Sequence, residues 1–320
     1  MIDYISTTIQ SFGCKDTNLF AHLGNPAAVF DSGWRKYYLQ GCERLAVWIH
    51  PDLGLRLEGS ISYYWQGHNF CFSNNDFVEA INHINRLLGV DLWKSVLNVF
   101  EYGIIMQVQM KPKDYILHHR CSPKEGLLMN EKPQDRGCFR WWKDSYVSLK
   151  MYDAKKNILL KQGEDRKSVI RSAGWDEAGE YLKWECHYIK PEYLNKGYGV
   201  RLYQLVNTDW DSIIKEDVYL QYKRLVPMKS TILPDNKKDL STADILALTF
   251  AEESINEGRS LEELRKSLYS RINAIPEDVL TKSDKDARKR QVKQLLDKLH
   301  ESPNSKWDLS KQIQEALEQG

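Results

Sequence analysis

Residues 96–110 read Val-Leu-Asn-Val-Phe-Glu-Tyr-Gly-Ile-Ile-Met-Gln-Val-Gln-Met, apolar at odd and even positions alike. Successive side chains of a strand point to opposite faces, so such a run belongs in the middle of a sheet covered on both sides. The rest of the fold has to be arranged around that strand. Glu101 interrupts it. A carboxylate in this position costs several kcal/mol unless a Lys or Arg pairs with it or a cation binds it. From the residues alone both readings stand: a buried ion pair, or a metal-binding or catalytic carboxylate.

Other segments supply partners for the central strand. Residues 2–10 alternate loosely, 45–50 and 53–65 look like a strand pair, and 146–152 and 181–189 are two more strands. Gln66-Gly67-His68-Asn69 is a turn. Asn74 and Asn75 offer N-caps to a helix whose Phe77, Ile81, Ile84 and Leu88 form one buried face. Pro191 is placed to start a helix running to about Val206. Strands with helices on one side make an α+β fold with a largely antiparallel central sheet.

The composition changes near Pro234. Aromatics nearly vanish beyond it and helix formers dominate. The expected organisation is a domain over 1–230 followed by an all-helical C-terminal region over 231–320. That tail reads as three or four helices, with a Ser260-Leu-Glu-Glu263 capping box and an apolar stripe of Leu295, Leu296 and Leu299. It is either a solvated helical appendage or an oligomerisation or DNA-contacting arm.

A net charge of +1 over 320 residues excludes a uniformly basic coat for nucleic acid but leaves room for a local basic groove. One segment fits that description: Lys111, Lys113, His118, His119, Arg120, Lys124, Lys132, Arg136, Arg140 and Lys143, with Trp141 and Trp142 as a stacking pair. A solvated loop fits it equally well. No run reaches the about 18 apolar residues a membrane span needs, and no signal peptide opens the sequence. The 6 cysteines form no C-x-x-C pair, which points to free thiols in a reducing cytoplasm. No phosphate-binding P-loop and no G-x-S-x-G elbow is present.

Strand parity sorts the residues that could carry chemistry. Leu182, Trp184 and Cys186 share an apolar face, and Lys183, Glu185 and His187 share the other. Val147, Leu149 and Met151 oppose Ser148, Lys150 and Tyr152. Arg56, Glu58 and Ser60 are the polar set of their strand. Glu58, Glu101 and Glu185, with His68 or His187, would make a hard-cation site for Mg²⁺ or Mn²⁺. A tyrosine beside such a cation can attack phosphorus and form a covalent link. Tyr152 is one of 17 tyrosines, and a strand aromatic packed on the sheet is the plainer reading.

At these residues the sequence resembles the replication initiators of filamentous bacteriophages, the gene II protein family, which is related to rolling-circle plasmid initiators. Four segments carry the resemblance: Leu57-Glu58 with Tyr64-Trp-Gln-Gly-His-Asn69, Val99-Phe-Glu101-Tyr-Gly103, Trp142 to Tyr152, and Tyr181 to Lys190 followed by Tyr193-Leu194. Their order, rather than any one motif, is the likeness. Glu101 stands where the family usually has Asp, and the H-hydrophobic-H signature of the wider nickase superfamily is absent.

The resemblance implies a site-specific single-strand DNA endonuclease that starts rolling-circle replication of a phage or plasmid through a covalent 5′-phosphotyrosine. It implies Tyr152 as nucleophile, Lys150 or Lys190 stabilising charge, and Mg²⁺ or Mn²⁺ held by Glu58, Glu101, Glu185 and His68. Origin DNA would be the partner, with Lys111, Lys113, Arg120, Arg140, Lys143, Trp141 and Trp142 in contact with it. A host helicase and polymerase would act after the nick, in a bacterial cytoplasm. The alternative is a non-catalytic DNA-binding replication or repressor protein.

Overall fold

The computed structural model describes residues 1–10, 23–39, 42–121, 125–130, 139–162, 168, 171, 174–176, 178–227, 231–232, 241–256, 261–297, 300–301 and 307–319. Cys14, Lys124, Lys132, Arg136, Cys138, Ser260 and Leu299 lie outside them, as does the Arg120 side chain. The chain divides into two compact units: 1–117 with 125–224 and 309–320, and 118–124 with 225–308.

The first unit is built on a ten-stranded antiparallel sheet. Its strands are β1 (Ile2–Ile9), β2 (Ala28–Val29), β3 (Arg35–Tyr38), β4 (Leu45–His50), β5 (Gly54–Ser60) and β6 (Val96–Val108). The chain then forms β7 (His119–Cys121), which belongs to the second unit, before β8 (Leu128–Asn130), β9 (Phe139–Lys143), β10 (Val147–Asp153) and β11 (Glu180–Tyr188). The order across the sheet is β2-β3-β4-β5-β1-β6-β11-β10-β9-β8, so β6 is central, as its composition requires.

The register confirms the parity argument. Cys186 faces Tyr102 and Leu149, and Trp184 faces Ile104 and Met151, on one side of the sheet. On this side Phe100, Tyr102, Val147, Leu149, Met151, Leu182, Trp184, Cys186 and Tyr188 are at most 1% exposed. A 16-residue helix (Thr208–Lys223) covers this side with Ile214, Val218 and Tyr222; the Trp184 indole donates to the Val218 carbonyl at 3.3 Å and meets the Tyr222 ring edge-on. Burying each such Leu or Ile is worth about 1.5–3 kcal/mol. The C-terminal helix (Ser310–Gln319) packs on β6 and on the 208–223 helix through Ile313 and Leu317.

Three local expectations differ. The apolar run 61–65 is a helix, α1 (Ile61–Gln66), because Ser60 caps it and Gly67 ends it at φ 80°. A short apolar run does not by itself separate strand from helix. In α2 (Asn74–Leu88) the cap is Ser73, in a reciprocal box with Asp76, while Phe77, Ile81, Ile84 and Leu88 are buried as the spacing predicts. Residues 191–206 form two 3-10 turns (Pro191–Asn195 and Leu202–Val206) rather than one helix, since Lys196 and Gly197 both adopt positive φ.

The second unit holds the ribbon of β7 with β12 (Leu225–Pro227), the pair β13 (Thr231–Ile232) with β14 (His300–Glu301), and helices over Thr242–Asn256, Leu261–Ala274 and Lys282–Leu296. These helices close on Leu248, Ala251, Leu264 and Leu296, with Leu295 against the cluster. No helix among the described residues is long and apolar enough to cross a membrane. Among the described cysteines, Cys42 and Cys186 are free thiols.

Candidate active site

The polar side of the sheet gathers charge where β1, β6, β11 and β10 lie side by side. Lys150 stands opposite Glu185 and Tyr152 opposite Lys183 on the β10–β11 pair. On the β11–β6 pair, His187 stands opposite Glu101 and Glu185 opposite Gly103. Directly opposed residues share a face, so these side chains meet.

The position of Asp3 comes from a bulge. Ile2 pairs with Tyr102 and Ile5 with Phe100, so two residues of β1, Asp3 and Tyr4, oppose the single residue Glu101. Both therefore project to the polar side, while Ile2 and Ile5 stay in the core at 2% and 0% exposure. Asp3 accepts hydrogen bonds from Ser60 (2.7 Å), Ser62 (2.6 Å), Asn69 (2.8 Å) and Lys183 (2.6 Å).

Lys183 is wholly buried and bridges Asp3 to Glu185 Oε2 at 2.8 Å. Lys150 bridges Glu101 to Glu185 Oε1, the latter at 2.8 Å. The Tyr152 hydroxyl donates to Glu185 Oε2 at 3.0 Å. His187 Nδ1 lies 2.7 Å from Glu101 Oε1. Gly103 is required by this packing: a Cβ there would come 2.8 Å from Lys183 Cε.

Burial alone would neutralise these groups, and their mutual attraction prevents it. Desolvation raises the Glu185 pKa, but Lys183 and Lys150 outweigh it and hold the carboxyl below its usual range. Asp3 is lowered in the same way, by Lys183 and its hydrogen-bond donors against the desolvation cost. Desolvation opposes charge on both lysines, yet the carboxylates hold their pKa values above the ordinary lysine range. Tyr152 is pushed well above a normal phenol, chiefly by burial and then by Glu185. Its hydroxyl is a neutral donor aimed at an ionised acceptor.

One oxygen from each of Asp3, Glu101 and Glu185 lies within 4.8 Å of the others. An all-oxygen set of this spacing suits a hard divalent cation. In this arrangement lysine ammoniums occupy the carboxylates. Lys150, with 24% of its side chain exposed, borders solvent, and Lys183, with none exposed, is enclosed. A cavity of about 440 Å³ opens over the cluster, lined by Glu101, Glu185, Lys150, Tyr152, Tyr4, Arg44, Lys156 and Asn157 among others.

The structure thus brings together Tyr152, Lys150, Glu101 and Glu185. It places Glu58 beside them but outside the triad, accepting from Tyr4 at 2.9 Å and paired with Arg56 at 2.6 Å. His68 lies in its turn, with Nδ1 accepting from the Phe70 amide at 3.3 Å; its neighbour Asn69 is the residue that reaches Asp3. Lys190 sits at the end of β11, 5.5 Å from the Tyr146 ring centroid.

Lys111, Lys113 and Lys143 are exposed. Trp141 is half-buried on the side of Lys150, next to Phe139. Trp142 is fully buried on the apolar side, and Arg140 donates to the carbonyls of Ile116 (2.8 Å) and Leu117 (3.2 Å). Asp3, Lys183 and Gly103 were missed by the sequence reading. Parity sets Lys183 on one face with Glu185 and His187, which is the signal that could have flagged it; nothing in the pattern signals the bulge.

No protein-family model and no curated protein matches this sequence. Among solved structures, one similar chain is the rolling circle replication initiator protein from Geobacillus stearothermophilus, at 13% identity and a TM-score of 0.35, covering 79% of this chain and 96% of that one. A TM-score of that size leaves the chemistry of the site to its own geometry.

Proposed function

We propose that the chain is a metal-dependent DNA nicking-joining endonuclease of the rolling-circle type, with Tyr152 as nucleophile. The observation that carries this reading is the Tyr152 hydroxyl donating to Glu185 beneath an open cavity, within a cluster of three carboxylates and two lysines. The order of motifs shared with the phage initiators supports DNA as the substrate.

In the reaction, the Tyr152 oxygen forms a bond to the scissile phosphorus and the bond from phosphorus to the 3′-oxygen breaks. The phenol proton passes to Glu185, the acceptor it already faces. The product is a 5′-phosphotyrosine and a strand ending in a 3′-hydroxyl, whose proton comes from Lys150 or water. Lys150, at the cavity wall, stabilises the charge that develops on the phosphoryl oxygens. Asp3, Glu101 and Glu185 would hold Mg²⁺ or Mn²⁺, which supplies further neutralisation of those oxygens. Residues 1–230 would carry this chemistry, with 231–320 as a helical accessory region.

The test is a denaturing gel of protein with labelled single-stranded DNA and Mn²⁺. Wild type should give a covalent adduct and Tyr152→Phe none, at unchanged DNA affinity. Undiminished nicking by Tyr152→Phe rejects the assignment. A second reading, a DNA-binding replication or repressor protein without nicking, is favoured by the two lysines that already satisfy Glu185. It predicts DNA binding with no adduct at any Mn²⁺ concentration.

A further inference from the structure

The polar side of the sheet continues away from the cluster, across β5, to β4 and β3. There Lys36 stands opposite Trp48, and Tyr38 and His50 share their side. Lys36 Nζ lies 4.9 Å from the Tyr38 ring centroid and 5.2 Å from that of Trp48. Phe30, 42% exposed, packs against Trp48 at 5.3 Å, and Trp34 against His50 at 5.4 Å. The opposite side of the same strands, Tyr37, Leu45, Val47 and Ile49, is core. The aromatic row is therefore not interior packing: Trp34, Lys36, Tyr38, Trp48 and His50 are all half-exposed. Among the described residues no carboxylate pairs with Lys36, whose ammonium rests on rings alone.

We infer that this row is a stacking platform for single-stranded DNA, holding the part of the strand that runs from the scissile phosphate at Tyr152 toward the β2 edge. The inference rests on the nicking reading. Flat rings accept any base, and an unpaired lysine among them meets the phosphates, which is the pattern of sequence-tolerant single-strand binding. Charge complementarity selects this occupant over a protein segment: the available cation has no acidic partner and the ligand is a polyanion. Five strand-to-strand steps of about 4.8 Å separate β4 from β10, and by register Trp48 lies level with Val96 of β6 while Tyr152 lies level with Ile105, so the platform is roughly 40 Å from the tyrosine on the same side of the sheet. A strand of about ten nucleotides spans that distance at about 3.4 Å per stacked nucleotide. The motifs that suggest nicking contain none of these residues.

The experiment compares wild type, Trp48→Ala and Lys36→Gln in fluorescence anisotropy, with labelled single-stranded DNA of about 16 nucleotides and of about 4 nucleotides. Thermal melting of each variant is measured alongside. Trp48→Ala should weaken binding of the longer strand about tenfold, one lost stacking contact. Lys36→Gln should lower the salt slope of that binding by about 0.7, one lost phosphate. The shorter strand should bind all three proteins alike. Equal affinity of all three for the longer strand overturns the platform, as does an equal loss on both strands. If Trp48→Ala fails to fold, the slope of Lys36→Gln decides alone. Weakened binding in the variants with no covalent adduct from wild type supports the platform while rejecting the nicking reading.

Discussion

Lys183 is the residue on which the cluster depends. Its ammonium is fully enclosed and answers two buried carboxylates at once, Asp3 and Glu185. Lys183→Met would leave both without their principal counterion, and breaking a buried pair on one side costs about 3–5 kcal/mol. A urea denaturation midpoint should report that loss; a midpoint equal to wild type contradicts the arrangement. Lys150→Met removes an ammonium that faces the cavity; it should depress nicking and lower the midpoint by less than Lys183→Met does, because Glu185 keeps Lys183. The same groups set the response to pH. Asp3 and Glu185 have folded pKa values below their unfolded ones, so their contribution is present above the usual carboxylate range and is lost as pH falls through it. Lys150 and Lys183 are raised, so theirs is present below the ordinary lysine pKa and is lost as pH climbs past the folded values. The contribution of these four groups should be level between about pH 5 and about pH 10. A decline that begins near neutrality would mean that other groups dominate.

At the scale of single elements, Gly103 on β6 and the bulge in β1 shape the site. Gly103→Ala places a methyl against Lys183 Cε and the Glu185 strand, and should lower both the melting temperature and adduct formation. Ser73→Ala opens the capping box of α2 and should cost about 1 kcal/mol, measured by denaturant, with nicking unchanged. The contrast between these two variants separates an element that holds the fold from one that holds the chemistry. It also marks what the sequence discloses. The strands of Lys150, Tyr152 and Glu185 were legible because each alternates, which puts Lys150 and Tyr152 together on one face of theirs, and the strand of Glu101 was legible because it is apolar at odd and even positions alike. Asp3 was not legible. Strict alternation from Ile5 assigns it to the core side, and only the extra residue in β1 turns it round. The helix over 61–66 was hidden for a related reason: six residues with apolar character satisfy either period, and Ser60 and Gly67 decide between them.

At the scale of the whole molecule, the boundary in composition near Pro234 and the boundary between compact units part company at the C-terminus. Residues 309–320 belong to the first unit, where Leu309 and Ile313 are fully buried and the Leu309 amide donates to the Tyr222 hydroxyl at 2.7 Å. Ile313→Ala should therefore cost the sheet unit about 2–5 kcal/mol although it lies far along the chain from Tyr152. The expected readout is a lower melting temperature together with loss of nicking near it; a variant that melts as wild type would place the last helix elsewhere. The balance of charge over the whole chain, +1, means that any affinity for DNA would have to come from local surfaces and not from a general field.

The central claim is tested most directly by locating the covalent bond. Wild-type protein incubated with single-stranded DNA and Mn²⁺, digested with nuclease and protease and mapped by mass spectrometry, should carry a nucleotide on Tyr152 and on no other tyrosine. A nucleotide on a different residue, or none on a protein that binds the DNA and remains folded, contradicts the account.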